Sequence, residues 1–253
     1  MKSYLINLDR GSDRLAVSAK LFADAGLAFE RVPAVDGKAL SRARRSEVCP
    51  PVRFYLANAH RALPGEIGCV LSHLAAWRTA FAGYVPAAAF FEDDISFDAE
   101  GLRRALASIE RDDDPAVPTV WLLHAGLPRP ADEDGRAWYD IRETADVGHA
   151  FWASSYALNA AAARRLAAIL TPMANVADAW STFARCGVRV LALFHPCAGQ
   201  RRNDASSISK RPSFLWRQSW YRRLHWFRWR IAFRLDLLLK RFEGKRYRIP
   251  SPA

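Results

Sequence analysis

The sequence predicts an α/β fold in which helices flank a sheet, because strand-like and helix-like segments alternate from the N-terminus onward. Residues 4–8 have the pattern of a buried strand, residues 10–25 that of a helix ending at Gly26, and residues 29–32 that of a second short strand. This βαβ order favours parallel strands. A third strand is predicted over residues 87–91, an apolar run that leads directly into three carboxylates.

The later elements are predicted from hydrophobic spacing and from capping residues. The predicted strands cover residues 120–123, 151–158 and 189–194, and the predicted helices residues 67–81, 98–111, 159–170 and 176–185. Asn159 is expected to cap the helix that follows it, because its side-chain oxygen can accept from the free amides of the first turn. Residues 41–61 are polar and basic and contain Pro50 and Pro51, so they are predicted to be a mobile connection or lid. Residues 128–142 are predicted to form a loop.

The positive charge of the chain is concentrated at its C-terminal end. Residues 201–248 contain 15 Lys and Arg against three acidic residues, a net charge of +12, which leaves −1 of the total +11 for the rest of the chain. A nearly neutral body with a cationic tail indicates an anionic surface as partner, and it argues against a body that coats nucleic acid.

The cysteines predict neither a metal finger nor a disulfide framework. Cys49, Cys69, Cys186 and Cys197 form no CxxC pair, so a reducing compartment is the simpler expectation. The N-terminus is expected to pass into a strand without a secretory signal. With 51% hydrophobic residues the chain can bury a full core, but it has no apolar run of about 18 residues that would predict a membrane span.

The three carboxylates Glu92, Asp93 and Asp94 lie where open α/β sheets bind ligands, at the carboxyl end of a predicted strand. Because like charges repel, we expect a cation there. A divalent metal that carries a diphosphate suits such oxygen ligands. The alternative is a solvated acidic turn that caps the next helix.

Several ordered motifs resemble glycosyltransferase family 25, the enzymes that build lipopolysaccharide and lipooligosaccharide. The resemblance extends over about residues 3–208, with weaker matches toward its end. The motifs are Ile6-Asn7-Leu8-Asp9-Arg10 with Asp13-Arg14, then Arg31-Val32-Pro33-Ala34-Val35-Asp36-Gly37, then Gly65-Glu66-Ile67-Gly68-Cys69 with Leu71-Ser72-His73 and Trp77, and then Glu92-Asp93-Asp94.

The resemblance implies a GT-A-like, Rossmann-type mixed sheet flanked by helices. It also implies a nucleotide-sugar donor, commonly UDP-galactose, and a divalent metal, manganese or magnesium. On this basis residues 1–208 are expected to form the transferase domain and residues 209–253 a separate basic tail. Charge that develops on the departing UDP would be stabilised by a metal and by guanidinium groups.

The expected donor-binding and metal-binding residues follow from the matched motifs. Glu92 and Asp94 alternate along the strand direction and are assigned to the metal or the diphosphate, and His195 is a further metal candidate that would suit manganese. Arg14 is equally open to the interpretation of a solvated helix residue. The expected donor-binding residues are Asn7, Arg10, Arg14, Asp36, Asp93 and Gln200.

Two residues are expected to take part in catalysis. An inverting transfer needs a general base for the acceptor hydroxyl, and Asp178 is the candidate, next to Trp180, which could stack on a sugar. The alternative for Asp178 is a helix N-cap. His73 shares a helix face with Glu66 and Cys69 and is expected to touch the donor or acceptor, although a lone histidine in a helix is more often structural.

The tail over residues 212–242 has the pattern of a basic amphipathic helix. An ordinary core-facing helix is the alternative, but additional aromatic residues among arginines are typical of an interfacial helix. Each basic residue near an anionic leaflet contributes about 1 kcal/mol. The apolar stripe consists of Trp216, Trp220, Leu224, Phe227, Ile231, Leu235, Leu238 and Phe242.

Together with the resemblance, these observations predict a metal-dependent glycosyltransferase that acts on a lipid-linked oligosaccharide from the inner face of the cytoplasmic membrane. The resemblance implies that the sugar is galactose and that the transfer is inverting. The alternative is a non-catalytic protein of the same fold that binds carbohydrate or nucleic acid through its basic tail. The concentrated negative charge of Glu92, Asp93 and Asp94 argues against that alternative.

Overall fold

The computed structural model describes residues 1–58, 60–124, 127, 129–130, 135–144 and 152–201. Its strands are β1 (Lys2–Asn7), β2 (Glu30–Pro33), β3 (Ala87–Glu92), β4 (Ile95–Phe97), β5 (Thr119–Leu122), β6 (Trp138–Asp140), β7 (Ser155–Asn159), β8 (Arg189–Leu193) and β9 (Ala198–Gln200). Its helices are α1 (Ser12–Asp24), α2 (Arg42–Val48), α3 (Pro51–Asn58), α4 (Pro64–Ala80), α5 (Ala99–Asp112), α6 (Ala160–Leu170) and α7 (Trp180–Arg185). The predicted tail, residues 209–253, lies outside the described residues. None of the described helices is long and apolar enough to cross a membrane.

Seven of the strands form one mixed sheet in the order β2-β1-β3-β7-β5-β8-β6, and β4 pairs with β9 in a separate two-stranded sheet. The β2-β1-β3 part is parallel, as the βαβ pattern predicts. β7 is antiparallel to both β3 and β5, and β6 is antiparallel to β8. The predicted mixed α/β sheet flanked by helices is therefore confirmed.

Helices cover both faces of the sheet, so the central strands are buried almost completely. Alternate residues of β3 point to opposite faces, as the two-residue period of a strand requires. Phe90 joins the core cluster that contains α4, α6 and α7, whereas Phe91 joins the one that contains α1 and α5. Both side chains are inaccessible to solvent.

Residues 41–61, which are predicted to be a mobile connection or lid, contain two short helices, α2 and α3. Ser41 caps α2 by accepting from the amide of Arg44 at 3.1 Å, and Pro51 begins α3. The predicted cap at Asn159 is confirmed, since its side chain accepts from the amide of Ala162 at 2.9 Å.

Candidate active site

A cleft lies where β1 and β3 end, and the segment after β2 and the first turns of α4 form its other wall. It holds about 800 Å³ of space, including solvent at its mouth. This position agrees with the general rule that open α/β sheets bind ligands at the carboxyl ends of their strands. The cleft is lined by Ile6, Leu8, Arg10, Arg14, Ala34, Val35, Asp36, Gly37, Lys38, Gly65, Cys69, Ser72, His73, Glu92, Asp93, Asp94 and Gln200.

On the β1–α1 side of the cleft, Asp93 is bound by residues of the protein itself. Its Oδ2 accepts from Nδ2 of Asn7 at 2.6 Å, and its Oδ1 lies 3.0 Å from the guanidinium of Arg14. Burial raises the pKa of Asp93 above its usual value, although Asn7 and then Arg14 partly oppose that rise. A carboxylate enclosed in this way carries little net charge toward the cleft.

The turn that follows β3 is fixed by residues from two distant parts of the chain. The backbone carbonyl of Asp93 accepts from Oγ of Ser18 at 2.8 Å and from Nη2 of Arg201 at 2.6 Å. Arg201 also donates to the carbonyl of Ile95 at 3.0 Å. These bonds hold the backbone of the carboxylate segment in one conformation.

The other wall is formed by the segment after β2, which packs against α4 through two glycines. A Cβ at Gly68 would lie 2.6 Å from the carbonyl oxygen of Val35, and one at Gly37 would lie 1.7 Å from that of Pro64. The close approach at Gly68 is therefore a backbone contact. Oγ of Ser72 accepts from the amide of Val35 at 2.8 Å and fixes the same segment.

From α4, two side chains reach Glu92 at the end of β3. Nε2 of His73 lies 3.3 Å from Oε1 of Glu92, and Sγ of Cys69 lies 3.8 Å from the same oxygen. Burial, then the charges of Glu92 and Asp178, raise the pKa of the Cys69 thiol well above its usual value. Cys69 is therefore a protonated thiol at neutral pH.

Three cationic side chains lie in the cleft, which suits an anionic ligand. Arg10 pairs with Asp36, Arg14 pairs with Asp93, and Lys38 lies in an exposed position beside them. Guanidinium groups match the oxygen geometry of phosphates, and an ammonium group adds a point charge.

The residues present also fit a divalent cation. Glu92 and Asp94 supply the carboxylate oxygens that magnesium and manganese prefer, and both line the cleft. A second grouping is also compatible with a metal, since one ligand atom each of Cys69, His73 and Glu92 lies within 4.8 Å of the others. That sulfur and nitrogen set would favour a softer ion such as zinc.

The structure brings most of the predicted site residues to one cleft. Arg10, Arg14, Asp36, His73, Glu92, Asp93, Asp94 and Gln200 all line it. Asn7 is 1% exposed and lies beneath the cleft, where its side chain bonds to Asp93 and Gly11. His195 lies in an exposed turn between β8 and β9 and is not among the lining residues.

Asp178 also lies outside the lining, two residues before α7. Its Oδ2 accepts from the backbone amide of Trp152 at 3.0 Å, and the N-cap of α7 is Ala179. The alternative prediction of a helix cap at Asp178 is therefore wrong. Its carboxylate is near enough to the cleft to raise the pKa of Cys69.

Sequence reasoning missed two residues that line the cleft, Lys38 and Ser72, and one that fixes its backbone, Arg201. Lys38 follows the Asp36-Gly37 pair directly, so its position in a matched motif could have indicated it. Ser72 and Arg201 act on the backbone, through the amide of Val35 and the carbonyl of Asp93. A single sequence gives no signal for contacts of that kind.

A mixed α/β sheet with a charged cleft at the carboxyl ends of its parallel strands has the arrangement in which open α/β folds bind their ligands. Residues 1–123 match the family model described as glycosyltransferase family 25 (LPS biosynthesis protein). The resemblance found in the motifs is thus confirmed by the family-model match over these residues.

Three relatives illustrate how this chain matches longer proteins. A glycosyltransferase 25 family member of Drosophila pseudoobscura pseudoobscura is 32% identical over 171 residues, which is 65% of this chain and 26% of that protein. Procollagen galactosyltransferase 2 of Mus musculus is 28% identical over 169 residues, 64% of this chain and 27% of the relative. Inactive glycosyltransferase 25 family member 3 of Mus musculus is 26% identical over 172 residues, 65% and 28% respectively. The chain spans about a quarter of the length of these curated relatives.

Proposed function

We propose that this protein is a metal-dependent glycosyltransferase with a GT-A-like domain that binds a nucleotide sugar in the cleft and transfers the sugar to a glycan acceptor. The observation that carries the proposal is the composition of the cleft. Arg10, Arg14 and Lys38 supply positive charge, and Glu92 and Asp94 supply carboxylates for a cation. A diphosphate with a bound metal ion would complement both sets, because its phosphate oxygens are negative and its metal ion is positive.

We favour UDP-galactose as the donor, because the mouse relative is named a galactosyltransferase. The diphosphate would be held mainly by Arg10, since a planar guanidinium group binds phosphate oxygens in pairs. Arg14 would contribute less, because it is already paired with Asp93. A bound magnesium or manganese ion, held by Glu92 and Asp94, would stabilise the charge that develops on the departing diphosphate. Asp36 would keep Arg10 oriented toward the cleft through their ion pair.

Asp178 is our candidate for the general base of an inverting transfer. It would take the proton of the acceptor hydroxyl while that oxygen attacks the anomeric carbon and the bond to the diphosphate breaks. Asp178→Asn is a sharp test, because an Asn oxygen can still accept from the amide of Trp152. We expect turnover to fall at least 100-fold while donor affinity is retained, and near-normal turnover would exclude this role.

The first experiment is a calorimetric titration of UDP and a panel of nucleotide sugars, with and without manganese, into the wild-type protein and its Asp94→Asn variant. Metal-dependent binding of one donor, lost in the variant, would support the transferase and identify the sugar. Absence of binding at every metal concentration would contradict it.

A second candidate function is a non-catalytic carbohydrate-binding protein of the same fold. One relative is named an inactive family member, so membership of the family does not by itself imply catalysis. In that case the protein would bind a glycan without metal dependence and would release no UDP from any nucleotide sugar, whereas the transferase would release UDP.

We further propose a lipid-linked acceptor and a peripheral location on the inner face of the cytoplasmic membrane. The family description, LPS biosynthesis protein, and the net +12 charge of residues 201–248 support this proposal. Truncation after residue 211 should release the protein from anionic vesicles and leave donor binding intact. Equal vesicle binding by the truncated protein would contradict the membrane role of the tail.

A further inference from the structure

A chain of hydrogen bonds runs from the core to the cleft through the indole of Trp77, the phenol of Tyr156, the imidazole of His73 and the carboxylate of Glu92. The indole nitrogen lies 2.9 Å from the phenol oxygen, and that oxygen lies 2.7 Å from Nδ1 of His73. Trp77, Tyr156 and His73 are each at most 2% exposed.

The direction of each bond follows from what each group can donate. An indole N–H can only donate, so the Tyr156 oxygen accepts from Trp77. At the other end, an ionised carboxylate can only accept, so Nε2 of His73 donates to Glu92 over 3.3 Å. A neutral imidazole carries one N–H. In a neutral His73 that donates from Nε2, Nδ1 is therefore the acceptor, and Tyr156 donates its hydroxyl proton to it.

We infer that Trp77 and Tyr156 are positioning residues, which fix His73 in the Nε2–H tautomer so that His73 and Cys69 together hold Oε1 of Glu92 and turn Oε2 toward a cation in the cleft. Burial raises the pKa of Tyr156 well above its usual value, which agrees with a phenol that keeps its proton. The thiol of Cys69 is likewise protonated and lies 3.8 Å from Oε1.

The inferred tautomer distinguishes two possible roles of Cys69, His73 and Glu92: a shared metal site, or a network in which Cys69 and His73 orient Glu92. If Cys69, His73 and Glu92 held a metal together, Nε2 and Sγ would have to lose their protons to bind it. In the inferred Nε2–H tautomer both groups donate to Glu92 instead. The imidazole is neutral in that tautomer, so these two donors leave the negative charge of Glu92 uncancelled.

The tautomer is measured first, by nitrogen-15 NMR of the histidine rings in the full chain, with the His73 signals assigned from their loss in His73→Gln. We expect the Nε2–H form in the wild-type protein and a shift toward the other tautomer in Tyr156→Phe. The matched control is Tyr4→Phe, because Tyr4 is also buried and its ring stacks on Phe90 at 5.6 Å, as that of Tyr156 does at 5.5 Å. An Nδ1–H form in the wild-type protein, or unchanged His73 signals in Tyr156→Phe, would overturn the inference.

Whether this network orients Glu92 toward a cation is tested by titrating manganese alone into the protein. This test rests on the metal site of the proposed function. Tyr156→Phe and His73→Leu should weaken manganese binding about 10-fold, as loss of partners that orient metal ligands commonly does. His73→Gln should stay within about threefold, because the amide of Gln can replace the Nε2–H donor.

Equal losses in His73→Gln and His73→Leu would overturn the positioning role. If His73→Leu fails to fold, the comparison of Tyr156→Phe with Tyr4→Phe still decides the question. Wild-type protein with the Nε2–H tautomer but without manganese binding would contradict the metal site of the proposed function and leave the tautomer assignment standing. Binding of one equivalent of zinc with loss of the Nε2–H signal would overturn the inference in favour of a Cys69–His73–Glu92 metal site.

Discussion

Two adjacent carboxylates, Glu92 and Asp93, are held by opposite walls of the cleft, and their partners differ in charge. From the β1–α1 wall, Asp93 receives an amide and the guanidinium of Arg14. From the α4 wall, Glu92 receives an imidazole and a thiol. The positive partner of Asp93 cancels its charge inside the protein, whereas the donors of Glu92, with His73 in the inferred Nε2–H tautomer, orient it without cancelling its charge. The comparison indicates that Asp93 supports the cleft and that Glu92 is available to a ligand cation.

The largest effect is expected for Glu92→Gln, which removes the uncancelled charge at nearly constant shape. Metal-dependent donor affinity should fall about 100-fold, because the affinity of an oxygen-ligand site for a divalent cation depends on the number of charged ligands. Calorimetry with UDP and manganese measures it. Glu100→Gln is the matched control, since Glu100 is exposed on α5 and pairs with Arg104. Unchanged affinity in Glu92→Gln would place the cation elsewhere.

Removal of the Asp93 side chain should instead affect stability. Asp93→Ala leaves Arg14 and Asn7 without their shared partner, so the free energy of unfolding should fall by about 2 to 3 kcal/mol. Urea unfolding measures this change. The control is Asp24→Ala, whose exposed pair with Lys20 should cost no more than about 0.5 kcal/mol. Similar values for both variants would mean that Asp93 has no supporting role.

Loss of the Arg10 guanidinium, which lies in the same cleft as these carboxylates, should have a smaller effect on donor binding. Arg10→Ala should raise the donor KM about 10-fold, since a hydrogen bond to a charged group contributes about 1.5 kcal/mol and Asp36 would be left to repel the diphosphate. Arg44→Ala, which removes an exposed arginine paired with Glu47 on α2, is the control. An unchanged KM in Arg10→Ala would remove Arg10 from the donor site.

The sequence predicted the parallel half of the sheet better than the mixed half, for a physical reason. In β2-β1-β3 each carboxyl end carries polar residues, so the motif order alone indicates where the ends meet. β7 runs in the opposite direction and brings its amino end to the cleft, where the carbonyl of Ser154 accepts from the amide of Glu92 at 2.9 Å. Strand direction of this kind depends on tertiary pairing, which local patterns do not contain.

The side-chain network was less accessible to sequence reasoning than the motifs themselves. Trp77 and His73 are four residues apart on one helix, which the sequence shows, but their common partner Tyr156 is 79 residues beyond Trp77. Ser41 and Pro51 carried helix-start signals that the polar composition of residues 41–61 obscured. The helix starts in residues 41–61 could therefore be predicted from local sequence, whereas the contact of Tyr156 with α4 could not.

The smallest expected effect is the pH dependence of stability that Asp93 causes. It tests how far Asn7 and Arg14 offset the effect of burial on the pKa of Asp93. Because the native pKa of Asp93 is raised, the native state keeps this proton at pH values where the unfolded state has already lost it. Stability should then fall as pH rises through the window between the unfolded value, about 3.9, and the higher native pKa.

Urea unfolding of the wild-type protein and Asp93→Asn across this window measures the difference, since the Asn variant lacks the titration. Arg14→Met should widen the window, because the charge of Arg14 opposes the rise in the pKa. If the wild-type protein instead became more stable relative to Asp93→Asn as the pH rises, the native pKa of Asp93 would be lower than its unfolded value. In that case the guanidinium would dominate burial, and the contrast with Glu92 would be larger than the structure indicates.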